Sequence, residues 1–171
     1  MKRVVVVVAA AALTLTACGS SGKSNAASPP SKPMSASPTA WTLAEAQTNM
    51  KAFGQTFGTT MQSVGSAISN GKTTADRDHG CASAASTLDA ASHALTAGKW
   101  PSNASADIST LVSALSTGKG LYARCATFTD ADWSNRSNPI LPQMTQWATS
   151  VQQAAQRLAV DLGIKPAGGA N

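Results

Sequence analysis

Glutamate and histidine are nearly missing from this chain. Its 171 residues include a single glutamate, Glu45, and two histidines, His79 and His93. Metal centres inside helical bundles draw on several glutamates and on a Glu-x-x-His pair facing the interior, and this sequence has no such pair. On a helix turning about 100° per residue, the two histidines share one face, roughly 160° from the row formed by Cys81, Leu88 and Leu95. They point at solvent, and Asp89 and His93, four apart, suit a surface ion pair. Neither histidine lies on an apolar face or in a Gly-x-Ser-x-Gly motif, so the arrangement for nucleophilic hydrolysis is missing too. No glycine-rich phosphate loop follows a strand, and no stretch reads as a strand. Four aspartates, Asp76, Asp78, Asp130 and Asp132, are the material for a carboxylate pair, but their residue type is too common to count alone. Nothing in the sequence calls for a cofactor.

Concentrated positive charge is also lacking. Of the formal net charge of +5, two units belong to Lys2 and Arg3, leaving +3 for the rest of the chain. Lys51, Lys72, Arg77, Lys99, Lys119 and Arg124 are scattered singly. Tracking a phosphate backbone needs a basic strip with stacking aromatics, so nucleic acid is not an expected partner. A mild attraction to anionic envelope polymers is all that this charge supports.

Long apolar runs are scarce, with one exception at the start. Met1-Lys2-Arg3 is followed by the apolar stretch Val4 to Leu15 and then by Leu15-Thr16-Ala17-Cys18. A basic head with about a dozen apolar residues fits an export signal and is too short to span a bilayer. The four residues ending at Cys18 resemble the lipobox of bacterial lipoprotein signal peptides, matching it at every required position. That resemblance covers about the first tenth of the chain. It implies that residues 1–17 are removed, that Cys18 is diacylglycerylated on sulfur and becomes the mature N-terminus, and that the protein sits on the extracytoplasmic face of the cell membrane. The abundance of alanine, serine, threonine and glycine resembles the usage of high-GC Gram-positive bacteria.

Residues 18–40 contain Pro29, Pro30, Pro33 and Pro38 among small polar residues and show no apolar period. Such a composition predicts a disordered, partly polyproline-like tether. Ser28, Ser31, Ser35, Ser37 and Thr39 beside these prolines are places for O-linked sugar, or are plain spacer. A helical domain is expected over residues 41–163, with a flexible tail over 164–171.

Four helices are predicted in that domain. The first runs from Thr42 to Asn70: Leu43, Met50, Phe57 and Val64 recur every seven residues, with Ala46, Phe53, Thr60 and Ala67 at the intermediate stations. Thr42 and Glu45 fit a capping box, and Asn70-Gly71 ends the helix. Gly54, Gly58 and Gly65, each costing about 1 kcal/mol relative to alanine, suggest a face that another helix approaches closely. The second helix runs from Thr74 to Ala97 through Cys81, Ala84, Leu88, Ala91 and Leu95. The turn Gly98-Lys99-Trp100-Pro101-Ser102 follows. The third runs from Asn103 to Thr127 through Ile108, Leu111, Leu115, Gly118, Tyr122 and Cys125. The fourth starts at Asn138-Pro139, a cap followed by a first-turn proline, and continues through Ile140, Met144, Trp147, Val151, Ala154 and Leu158 to Gly163. Similar lengths and short turns predict an all-α, up-down-up-down four-helix bundle.

With Cys18 assigned to lipid, an even pair remains for an oxidising compartment, Cys81 and Cys125. Partners across a hairpin turning at Trp100-Pro101 should average about 101 to 103 in sequence position, and these two average 103. Both lie on apolar stripes, so one disulfide bracing the second and third helices is expected. It should contribute about 4 kcal/mol to a core rich in small residues that bury little area.

The same topology gathers Asp76, Arg77, Asp78, His79, Arg124, Asp130, Asp132, Trp133 and Arg136 at the end opposite the tether. There they suit recognition of a protein or glycan with Trp133 as the anchor. Alternatively, Asp76 and Asp130 serve as helix caps and Trp133 as a plug over the core. Trp41 and Trp100 should meet at the tethered end, as a cover for the core or as indoles at a membrane interface. The expected function is a membrane-anchored, non-enzymatic binding or accessory module of the cell envelope. The alternatives are a carrier holding an apolar or haem-like ligand near Met50, Met61, Met144 and Tyr122, and, third, an envelope enzyme.

Overall fold

The computed structural model describes residues 40–135 and 137–164. The expected signal segment, Cys18, the expected tether up to residue 39, Arg136 and residues 165–171 lie outside the described residues. Five helices and no strand occur among the described residues: α1 (Leu43–Asn70), α2 (Thr74–Ala97), α3 (Ser105–Cys125), α4 (Asp130–Ser134) and α5 (Ile140–Asp161). A 3-10 turn, Ser102–Ala104, leads into α3. The expected count of four therefore omits α4, which sits in the connection between the third and last long helices. The third helix begins two residues later than expected, because Pro101 opens a tighter turn first. Among the described residues, no helix is long and apolar enough to cross a membrane.

The helix starts follow a repeated device. Thr42 Oγ1 accepts from the Glu45 amide at 3.3 Å, while the Thr42 amide donates to the Glu45 carboxylate at 2.8 Å. Thr73 with Asp76 and Thr129 with Asp132 build the same reciprocal box at α2 and α4. Each box satisfies two donors that a helix start would otherwise leave without partners. At α5, Asn138 Oδ1 accepts from the Ile140 amide at 3.1 Å across Pro139, which already has helical dihedrals. Asn138 is a buried polar residue, satisfied by this bond and by its amide's contact with the Asp132 carbonyl.

Successive long helices pack on one another: α1 on α2, α2 on α3, and α3 on α5. Trp41 next to the start of α1 donates its amide to the Lys99 carbonyl beyond the end of α2, at 2.6 Å. Asn103 before α3 donates to the carbonyl of Asp161, the last residue of α5, at 2.9 Å. The start of α1 therefore lies beside the end of α2, and the start of α3 beside the end of α5. Between α2 and α3 the cysteine pair expected from the hairpin arithmetic is present. The Cys81 and Cys125 sulfurs are at bonding distance, with Cα atoms 5.7 Å apart and a sequence separation of 44.

The core is a single cluster to which every long helix contributes, with Leu88, Leu95, Leu111, Leu115 and Leu158 fully buried. Small residues set its thickness. Gly118 on α3 faces the Trp147 indole so closely that a Cβ there would collide with the ring. The Trp147 Nε1–H donates to the Ala114 carbonyl at 2.7 Å, and its ring meets Tyr122 edge to face at 5.6 Å. Gly163, with φ of 64°, takes the left-handed position that ends a helix and favours glycine.

Two expectations for α1 fail. Leu43, placed on the apolar row, is 49% exposed, although Ala46 three residues on is fully buried. Gly54 and Gly65 are buried, but Gly58 faces open space and no helix approaches it. The rest of the Leu43 row stays on the core, with Met50 and Val64 buried and Phe57 half-buried.

Candidate functional site

The far end of the molecule, away from Trp41, is built by the starts of α2 and α4 and the end of α3. Thr74 Oγ1 hydrogen-bonds Asp130 Oδ1, joining the first turns of α2 and α4. Phe128, buried just beyond α3, meets the Trp133 ring edge to face at 5.3 Å. Trp133 Nε1–H donates to Asp78 Oδ1 at 3.1 Å. The Arg77 guanidinium carbon lies 5.5 Å from the centre of the Trp133 ring, and Arg77 Nε–H donates to the Gly71 carbonyl at 3.1 Å. Trp133 is thus half-buried between an aromatic edge, a carboxylate and a cation. A tryptophan over a core can use its apolar body and its N–H at once.

The expected cluster divides into three groups. Arg77, Asp78 and Trp133 form one contact unit, and Asp130 is drawn onto α2 through Thr74. Asp76 and Asp132 are occupied as capping partners: hydrogen bonds from the Thr73 backbone and, for Asp132, first from the Thr129 hydroxyl hold both carboxyls below their usual range. His79 and Arg124 are exposed. Arg136 lies outside the described residues. Asp130 is not a cap, since Thr129 takes that role. The sequence pattern Thr-x-x-acid at residues 73–76 and 129–132 is the signal that would have shown both boxes and located α4. Nothing in the local pattern marks the pairing of Asp78 with Trp133, 55 residues apart.

His93, the methionine-lined core and an open surface depression are otherwise engaged. The His93 side chain is 82% exposed and 3.9 Å from Asp89, whose nearer partner is Lys119 Nζ at 2.7 Å, across the α2–α3 seam. That hydrogen bond is the first cause of the lowered Asp89 pKa. Met50, Met61 and Tyr122 are buried in the core and Met144 packs against it. Burial pushes the Tyr122 hydroxyl up to about 12, so it stays protonated at neutral pH. An open depression of about 420 Å³ lies between α3 and α5, lined by Asp107, Gln153, Gln156, Arg157, Val160 and Asp161. It contains none of the residues expected to hold an apolar ligand. Asp107 there has a raised pKa, first from desolvation and then from the neighbouring Asp161 carboxylate.

No protein-family model matches the chain, and neither a curated protein nor a solved structure matches it. The described residues define a small all-helical domain with a cystine-distance pair.

Proposed function

We propose that this protein is a lipid-anchored lipoprotein of the bacterial cell envelope, held through Cys18 on the extracytoplasmic face of the cell membrane. Its four long helices form an up-down-up-down bundle whose far end serves as a non-enzymatic recognition surface for an envelope protein or glycan. Two acyl chains on Cys18, at about 0.8 kcal/mol per buried methylene, hold a protein durably where one does not. Support for the recognition surface rests on a single observation: Arg77, Asp78 and Trp133 converge on one half-buried indole, with exposed His79 and Arg124 on adjoining helices. Rigid aromatic anchors flanked by arginine are the usual centres of binding surfaces.

A photo-crosslinking residue at exposed Ala131 tests this in intact cells, with the same probe at Thr48 as the control position. A discrete adduct should form from residue 131 and not from residue 48. It should be lost when His79→Ala and Arg124→Ala are combined, because both side chains are exposed and their removal leaves the fold intact. An adduct pattern indifferent to position, or one that survives both substitutions, would dismiss the far end as a recognition surface.

A further inference from the structure

The end opposite Trp133 is distinct in what it leaves uncovered. Leu43 and Val160 are the large apolar side chains that remain exposed among the described residues, at 49% and 69%. They lie at the same end: Leu43 opens α1, Val160 stands next to last in α5, and Gln47 Nε2 one turn into α1 donates to the Leu162 carbonyl at 2.7 Å. Trp41 and Trp100 are half-buried beside them, edge to face at 4.9 Å. The Trp100 Nε1–H is taken by the Leu95 carbonyl at 2.7 Å. No comparable apolar side chain is exposed at the far end among the described residues.

We infer that this near end is a membrane seat: Leu43 and Val160, flanked by the Trp41–Trp100 pair, rest against the headgroup region of the bilayer that carries the anchor. The inference rests on the lipid-anchored reading above. Ala40, where the described structure begins, adjoins this end, and about 22 residues separate it from Cys18. A chain of that length reaches at most about 75 Å, so an anchored domain meets the bilayer at an effective concentration near millimolar. Apolar contacts too weak to recruit a free protein then suffice to orient a tethered one. Indoles favour the interface between hydrocarbon and water. The local charges, Glu45, Asp107 and Asp161 against Lys99 and Arg157, nearly cancel, so the seat is apolar rather than electrostatic. With this end down, Trp133 and Arg77 face away from the membrane.

The test is hydrogen–deuterium exchange on the full mature protein, purified with its lipid and reconstituted into vesicles of phosphatidylethanolamine and phosphatidylglycerol. Amides around residues 41–47 and 158–163 should exchange several-fold more slowly than in the soluble Cys18→Ser mature chain, and those around 128–135 should not change. High salt should leave the protection in place. In a Leu43→Ser, Val160→Ser double variant, still lipidated and folded, the protection should disappear. A lipidated wild-type protein with no protection at the near end, or protection that the double variant keeps, overturns the seat while leaving the anchor intact. Protection that appears without vesicles and grows with protein concentration assigns this face to a second copy instead. Mass spectrometry of the same sample reads the anchor separately, and an unmodified Cys18 overturns the anchored reading and the seat together.

Discussion

Each end of the molecule is closed by a tryptophan meeting another aromatic ring edge to face, Trp41 with Trp100 and Trp133 with Phe128, yet the two closures differ in kind. At the far end the tryptophan is held by side chains from other elements: Asp78 takes its N–H, Arg77 approaches its face, and Cys81 and Cys125 brace the helices below. At the near end the contacts are to backbone carbonyls of Lys99, Leu95, Asp161 and Leu162, and two apolar side chains stay in solvent. Carbonyls are supplied by any sequence, so at the near end only the donors on Trp100, Asn103 and Gln47 must be particular side chains. At the far end both donor and acceptor must be, in Trp133 and Asp78. Pairing of side chain with side chain is concentrated at one end and apolar exposure at the other.

The largest expected effect breaks the comparison at its brace. Replacing Cys81 and Cys125 together with serine should cost about 4 kcal/mol, the loop entropy of a cross-link over 44 residues, measured by denaturant unfolding. Amides near 74–82 and 125–134 should lose more protection than those near 41–47. A uniform loss would show that the brace serves both ends alike.

Next, Trp133→Ala should destabilise by about 3 kcal/mol, since it opens the core above Phe128 and leaves Asp78 without its donor. Trp41→Ala should cost less, about 1 to 2 kcal/mol, because it removes ring contact only. Equal costs, read from the same unfolding curves, would erase the distinction. Trp133→Phe isolates the hydrogen bond to Asp78 and should cost about 1 kcal/mol.

The smallest effect is a difference of sign with pH. Asp76 and Asp132 at the far end are held below their usual range by the Thr73 and Thr129 boxes. Their stabilisation is full above the unfolded value of about 3.9 and is lost as pH falls through the lower folded values. Glu45 behaves likewise at the start of α1, where the Thr42 backbone is the first cause. Asp107, raised by desolvation and by Asp161, contributes in the opposite sense: its share is full below about 3.9 and is lost as pH rises through its raised value. Carboxyl titration by NMR should place Asp107 above and Asp76 and Asp132 below their ordinary values, and Asp161→Asn should move Asp107 down.

Much of this structure can be read from local patterns. The period of Cys81, Leu88 and Leu95 and the row from Ile108 to Cys125 both reach the core, since each row repeats on one helix face. The Trp100-Pro101 turn sets the hairpin register, from which the Cys81–Cys125 pairing follows by counting. The same counting gathered Arg77, Asp78 and Trp133 at one end. It could not say which aspartate accepts from the indole, or that Asp76 and Asp132 are consumed as caps. That outcome depends on competition among several similar carboxylates for a few donors, and distances of a few tenths of an ångström decide it. The row through Leu43 misled because periodicity assigns a face but not how much of that face the core covers.

By itself the sequence determined the helical class, the bounds of α1 and α2 and the cysteine pairing, because caps, periods and turn residues act over a few neighbours along the chain. Only the tertiary structure decided how each end is closed, that a fifth helix carries Trp133 onto Asp78, and that Leu43 and Val160 remain in solvent. Those facts arise from where separate helices end relative to one another in space, and no local pattern encodes that.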